Sequence, residues 1–232
     1  MTNYLFPPTE PRSLAVIGEE GRYPVNRIFC VGRNYEDHAK EMGAEVDREA
    51  PFYFTKGVHA VFPSGGVLRY PPGTEDFHYE TELVVAIGAP AFRLPKEKAA
   101  SVIFGYGIGL DMTRRDLQAR SKERRQPWDT AKDVEESAVL SSLTRQSDMA
   151  PIAAQRIWLE VNGQTRQDSD LSKMVWSIPE IIQDLSSLYR LAPGDLIMTG
   201  TPAGVGAVKA GDKLLARIDG LSDLSVTIGE SR

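Results

Sequence analysis

The sequence predicts an α+β fold with a mixed, mostly antiparallel sheet and flanking helices. Apolar runs of strand length occur at 27–31, 52–54, 82–87, 157–161, 196–199, 213–218 and 224–228. They outnumber helical patterns and do not alternate regularly with them, as a doubly wound sheet would require. Asn162-Gly163, directly after the run 157–161, is a hairpin signal, because both central positions of a type I′ turn need positive φ.

Residues 1–25 carry Pro7, Pro8 and Pro11 and one apolar patch, Leu14-Ala15-Val16-Ile17. They read as an arm or edge strand leading into a single domain over 26–232. No repeat, low-complexity tract or Gly/Ser linker divides that domain. Cys30, the one cysteine, sits in the apolar run Ile28-Phe29-Cys30-Val31 and reads as a buried thiol on a strand. Asn34-Tyr35-Glu36-Asp37 can cap a short helix that stops at Gly43, and 95–104 is a second helix candidate. Thr113 is a weak cap for a helix reaching about Glu123. Ser177-Ile178-Pro179-Glu180 is a capping box with proline in the first turn, where its missing N–H does no harm. Ile178, Ile181, Ile182, Leu185 and Leu188 then recur on one face, so this helix packs on the core.

The chain has 232 residues, 41% hydrophobic and 25% charged, with 27 Lys+Arg against 32 Asp+Glu. That length can bury a full core without staples. The net charge of −5 argues against nucleic acid or an anionic membrane as partner. No apolar stretch at the start resembles a signal peptide, and none approaches the roughly 18 residues of a membrane helix. A cytoplasmic protein is expected.

Four constellations could carry chemistry. His78-Tyr79-Glu80-Thr81-Glu82 runs into an apolar strand, where alternation puts Glu80 and Glu82 on one face. Asp111 ends another apolar strand. A solvated strand end explains the glutamates as well as a site does, but a third acid makes a hard-oxygen set suited to Mg2+ or Mn2+. His78 falls on the same face and reads as a satisfied neighbour. His38 and Glu41 lie three apart on the short helix and can meet; a carboxylate beside an imidazole makes a general base, though an exposed ion pair explains the spacing equally. Lys132 follows Pro127-Trp128, and the basic stretch Arg114 to Arg125 precedes it; a solvated helix face is the ordinary reading of both. Gly200-Thr201-Pro202-Ala203-Gly204-Val205-Gly206 lacks the Lys-Ser/Thr of a phosphate loop and reads as a tight turn that brings backbone close to a ligand.

Together, Val31-Gly32-Arg33-Asn34-Tyr35 with His38 and Glu41, Glu80-Thr81-Glu82, Leu110-Asp111-Met112-Thr113, Pro127-Trp128 with Lys132, and Thr199 to Gly206 resemble the fumarylacetoacetate hydrolase family, in particular its short acylpyruvate hydrolases. The likeness spans about residues 26–228. It implies a rolled, mixed β-structure, usually a homodimer, acting on a small dioxo acid such as fumarylpyruvate in aromatic catabolism. It also implies Mg2+ (or Mn2+) on Glu80, Glu82 and Asp111, and a water-activating dyad of His38 and Glu41. That dyad would sit on a mobile lid followed by the charged loop 45–49. Lys132 would stabilise developing negative charge, and Arg33, Lys56, Gln118 and Thr201 would line the substrate site. One departure is Gly57 after Lys56, where relatives usually carry proline. Oxaloacetate decarboxylation, or a decarboxylase/isomerase, is the alternative on the same scaffold. A metal-stabilised binding module without turnover would have no use for His38 and Glu41.

Overall fold

Two large sheets and two apolar cores follow from how the strands alternate. The computed structural model describes residues 3–43 and 48–231. The larger sheet runs in the order Phe52–Lys56, Arg27–Gly32, Asp195–Met198, Thr81–Ile87, Ile103–Asp111, Ala138–Leu140, Val61–Pro63, with Thr144–Arg145 added beside Ile103–Asp111. Its neighbours are antiparallel except for Asp195–Met198 on Arg27–Gly32 and Ala138–Leu140 on Val61–Pro63. The second sheet runs Gln164–Asp170, Arg156–Val161, Lys213–Ile218, Leu224–Gly229, Val67–Arg69. The result is the mixed, curled β-structure with few helices that the sequence predicts.

Successive side chains of one strand face opposite ways, and here both faces are buried. Leu83, Val85 and Ile87 join Phe29 and Val31 in a core shared with Ile157, Leu159, Leu214 and the helix residues Ile181, Ile182 and Leu185. Val84 and Ala86 join Ile28, Cys30, Leu196 and Met198 in a second core on the other face. Cys30 is a free, buried thiol there. The N-terminal segment is less of an arm than expected. Ser13–Ala15 and Arg22–Pro24 form a hairpin that puts Leu14, Val16, Tyr23 and Val25 into this second core, while Tyr4, Leu5 and Phe6 remain exposed.

The hairpin at Asn162-Gly163 forms with both residues at positive φ, 53° and 76°. Helix Ile178–Leu188 begins with the full capping box. Other boundaries move. Residues 95–104 do not form an α-helix: Lys96–Val102 is a 3₁₀ stretch, and Ile103 and Phe104 already belong to the strand that ends at Asp111. That strand carries glycines at 105, 107 and 109, and a Cβ at Gly105 would lie 2.2 Å from the Thr144 carbonyl oxygen, so the residue must be bare for the neighbouring strand to cross. Thr113 does not cap helix Arg115–Arg124; its hydroxyl bonds the Asp111 carbonyl and Lys132 instead. Asn34 likewise does not cap helix Glu36–Glu41, because its amide is engaged with the backbone of Trp176 and Thr199. Residues 44–47 of the expected lid loop lie outside the described residues. No helix among the described residues is long and apolar enough to cross a membrane.

Candidate active site

Register brings the acids together. Thr81–Ile87 pairs with Ile103–Asp111 so that Glu82 stands opposite Gly109, and the Asp111 N–H donates to the Glu80 carbonyl at 2.9 Å. Glu80, Glu82 and Asp111 are all buried, and one carboxylate oxygen from each lies within 4.8 Å of the others. His78 is not among them; its Nε2 pairs with Asp76 at 2.7 Å.

Three like charges so close need cations. Lys132, on the short helix Asp129–Lys132, is buried rather than solvated, and its Nζ donates to Glu80 at 2.8 Å, Asp111 at 2.5 Å and Thr113 at 2.7 Å. Arg115 caps Glu80 from the first turn of its helix. Burial alone would raise the Glu80 carboxyl, but Lys132 and Arg115 outweigh it and hold the group well below its ordinary value. Glu82 is treated differently. Burial first, then the charges of Asp111 and Glu80, push its carboxyl well up, and the Gly200 N–H at 2.8 Å relieves this only partly. Lys132 stays charged, since Asp111 and Glu80 outweigh the burial that would lower it.

The donor set fits a divalent cation. Asp111 Oδ1 is buried without a hydrogen bond; Lys56 Nζ lies 2.9 Å away but off hydrogen-bonding geometry. A hard ion among three carboxylate oxygens would satisfy that atom and relieve Glu82. Lys56 itself is misplaced by the sequence reading. It does not line the cleft but lies wholly buried behind Asp111, bonded to Ser137 and the backbone of Met112 and Lys132. The Gly57 N–H donates to Asp133 at 2.6 Å, a bond that proline could not make.

His38, Arg33, Gln118 and Thr201 face the same cleft as the three acids and Lys132. His38 is 7% exposed, with Nδ1 3.2 Å from Glu41 Oε2. Burial lowers its pKa against the opposing pull of Glu80 and Glu41, which favours the neutral ring beside the Glu41 carboxylate. Glu41 in turn accepts from the Gly204 N–H at 3.1 and 3.2 Å, tying the helix to the glycine-rich turn. Gln118 accepts from Arg115 at 2.6 Å, and Thr201 from Gln167 at 2.8 Å. Arg115 and Lys122 were hidden in a stretch that reads as solvated. Their spacing of seven, with Gln118 between, marks one helix face and was the available signal; Arg120, Arg124 and Arg125 do point to solvent.

A fumarylpyruvate hydrolase from Ralstonia sp is 50% identical to this chain over 190 residues, 81% of this chain and 98% of the relative. The mitochondrial oxaloacetate tautomerase FAHD1 of Rattus norvegicus is 40% identical over 205 residues, 88% of this chain and 92% of the relative. The crystal structure of fumarylpyruvate hydrolase from Pseudomonas aeruginosa in complex with Mn2+ and pyruvate superposes with a TM-score of 0.96 at 45% identity, covering 99% of this chain and all of the other. The family model for the fumarylacetoacetate (FAA) hydrolase C-terminal region matches residues 27–229. The protein belongs to the fumarylacetoacetate hydrolase family.

Proposed function

We propose that this enzyme hydrolyses the carbon–carbon bond of an acylpyruvate, with fumarylpyruvate giving fumarate and pyruvate. The observation that carries the reading is an imidazole paired with a carboxylate and facing the same cleft as three buried acids and a buried lysine. Glu80, Glu82 and Asp111 would hold Mg2+ or Mn2+, which when bound supplies Lewis acidity at the oxo-acid end of the substrate. The 50% identical hydrolase and the neighbour that binds Mn2+ and pyruvate support both parts.

With its Nδ1–H directed at Glu41, His38 keeps a lone pair on Nε2 and takes a proton from water there. The water oxygen bonds to the carbonyl carbon distal to the pyruvate end. The attacked carbon re-forms its C=O bond as the carbon–carbon bond breaks, and the electron pair leaves on the pyruvate fragment as an enolate. The proton held by His38 passes to that fragment to give pyruvate. The Lys132 ammonium opposes the charge that develops. Arg33, Gln118 and Thr201 contact the substrate, while Lys56 orients Asp111 from behind.

Steady-state assays with Mg2+ on fumarylpyruvate, acetylpyruvate and oxaloacetate test this. His38→Ala is expected to lose acylpyruvate cleavage by roughly 10²–10⁴-fold, the range of a positioned acid–base group, and any oxaloacetate decarboxylation much less. Because His38 acts unprotonated and burial lowers its pKa, the acid limb of kcat/KM is expected below the ordinary imidazole value of 6.5. Parallel losses in both reactions would remove the base role. A second reading, an oxaloacetate-directed reaction needing an enolate but no water, rests on the 40% identical tautomerase; full retention of oxaloacetate turnover without acylpyruvate cleavage would favour it.

A further inference from the structure

The cleft holds more positive charge than its acids account for. Arg33, Arg115, Lys122 and Lys132 face it, against Glu80, Glu82 and Asp111. Arg115 and Lys132 are paired with those acids. The side chains of Arg33 and Lys122 have no hydrogen bond or ion pair among the described residues; each lies instead over an aromatic ring, Arg33 over Phe52 at 5.6 Å and Lys122 over Trp128 at 5.3 Å. The two rings meet edge to face at 5.5 Å, so the two cations flank one aromatic pair. Half-burial, with Arg115 and Arg33 nearby, pushes Lys122 down to about 8, as expected of a cation short of an anion.

Position says where that anion would lie. Arg115, Gln118 and Lys122 share one face of helix Arg115–Arg124, and at 1.5 Å rise per residue Lys122 stands roughly 10 Å along the axis from Arg115, which touches Glu80. A divalent ion at the acids would offset part of their charge and deepen the excess at Arg33 and Lys122.

We infer that Lys122, with Arg33, is the specificity-determining subsite for the second carboxylate of the substrate, at the end of the cleft away from Glu80, Glu82 and Asp111. This rests on the acylpyruvate reading for the identity of the acyl group, but the charge argument stands without it. Arg33 enters at φ 55°, a conformation uncommon outside glycine that places its side chain over Phe52. The aromatic pair offers apolar contact to the chain between the two carboxylates.

The test compares two unreactive ligands of equal chain length, 2-oxopimelate, which has a distal carboxylate, and 2-oxoheptanoate, which has none. Their affinities for the Mn2+-loaded protein are read by calorimetry in wild type, Lys122→Met and Lys122→Arg. A charge-assisted hydrogen bond predicts that the wild type prefers 2-oxopimelate by about tenfold to a hundredfold. That ratio should collapse toward one in Lys122→Met and persist in Lys122→Arg. An unchanged ratio in Lys122→Met, or an equal fall in both affinities, would overturn the subsite. A Lys122-dependent ratio in a protein that cleaves no acylpyruvate would leave the subsite standing and remove the hydrolase reading.

Discussion

Glu82 is a carboxylate held where two others repel it, with one backbone N–H as its direct support. Such a group weakens the fold unless a cation joins it. Glu82→Gln removes the repulsion and keeps the shape, so the metal-free variant should melt at or above the wild-type Tm. Added Mg2+ should stabilise the wild type, by about 2.7 kcal/mol at a hundredfold excess over Kd, and leave the variant almost unmoved. Equal stabilisation of both proteins in a thermal scan would take Glu82 out of the metal site. Much of this was readable in the residues: hard oxygens alternating on a strand, a third acid at a strand end. The roles of Lys56 and Arg115 were not, because nothing in a basic residue's local spacing tells whether it points to water or to a buried acid.

Helix Glu36–Glu41 has six residues, too few to be stable alone, since isolated helices shorter than about 12 residues are marginal in water. Its N-terminal end is anchored by Asn34, and Val175 N–H donates to the Asn34 carbonyl. Its C-terminal end is tied chiefly through Glu41 to Gly204. We propose that this segment closes over bound ligand, with Glu41 as its latch. Hydrogen exchange over 36–41 should slow when oxalate and Mg2+ are added; strong protection that is equal with and without them would count against a lid. Gly204 sits at φ +97°, and a Cβ there would lie 2.0 Å from the Arg166 carbonyl oxygen. Gly204→Ala must therefore shift the turn, and faster exchange at 36–41 is expected in that variant even with ligand.

At the scale of the molecule, the N-terminal hairpin closes the second core. Tyr23 donates to the carbonyls of Ile87 and Asp195 at 2.7 and 3.0 Å, and Leu14, Val16 and Val25 pack beside it. Full burial of each such side chain contributes roughly 1.5–3 kcal/mol, and domains are stable by only about 5–15 kcal/mol. Removing residues 1–11 should shift Tm by a few degrees at most, whereas removing 1–25 should abolish cooperative unfolding; an intact transition in the longer deletion would show the hairpin to be dispensable.

What the sequence determined by itself is local. The apolar runs of strand length, the Asn162-Gly163 turn and the Ser177 capping box each act within a few residues, where steric and hydrogen-bonding rules decide the outcome, and all three appear in the structure. It also picked out Glu80, Glu82 and Asp111 as one acid set, and the structure brings a carboxylate oxygen of each within 4.8 Å of the others. Tertiary structure decided the rest. Register set Glu80 beside Asp111, and packing buried Lys132 among the acids. The same packing sent Lys56 behind the cleft and turned Arg115 and Lys122 inward while Arg120 and Arg124 of the same helix stayed in water. Those placements depend on charge meeting charge across elements distant in the chain, an energy that exists only once the sheets have brought them together.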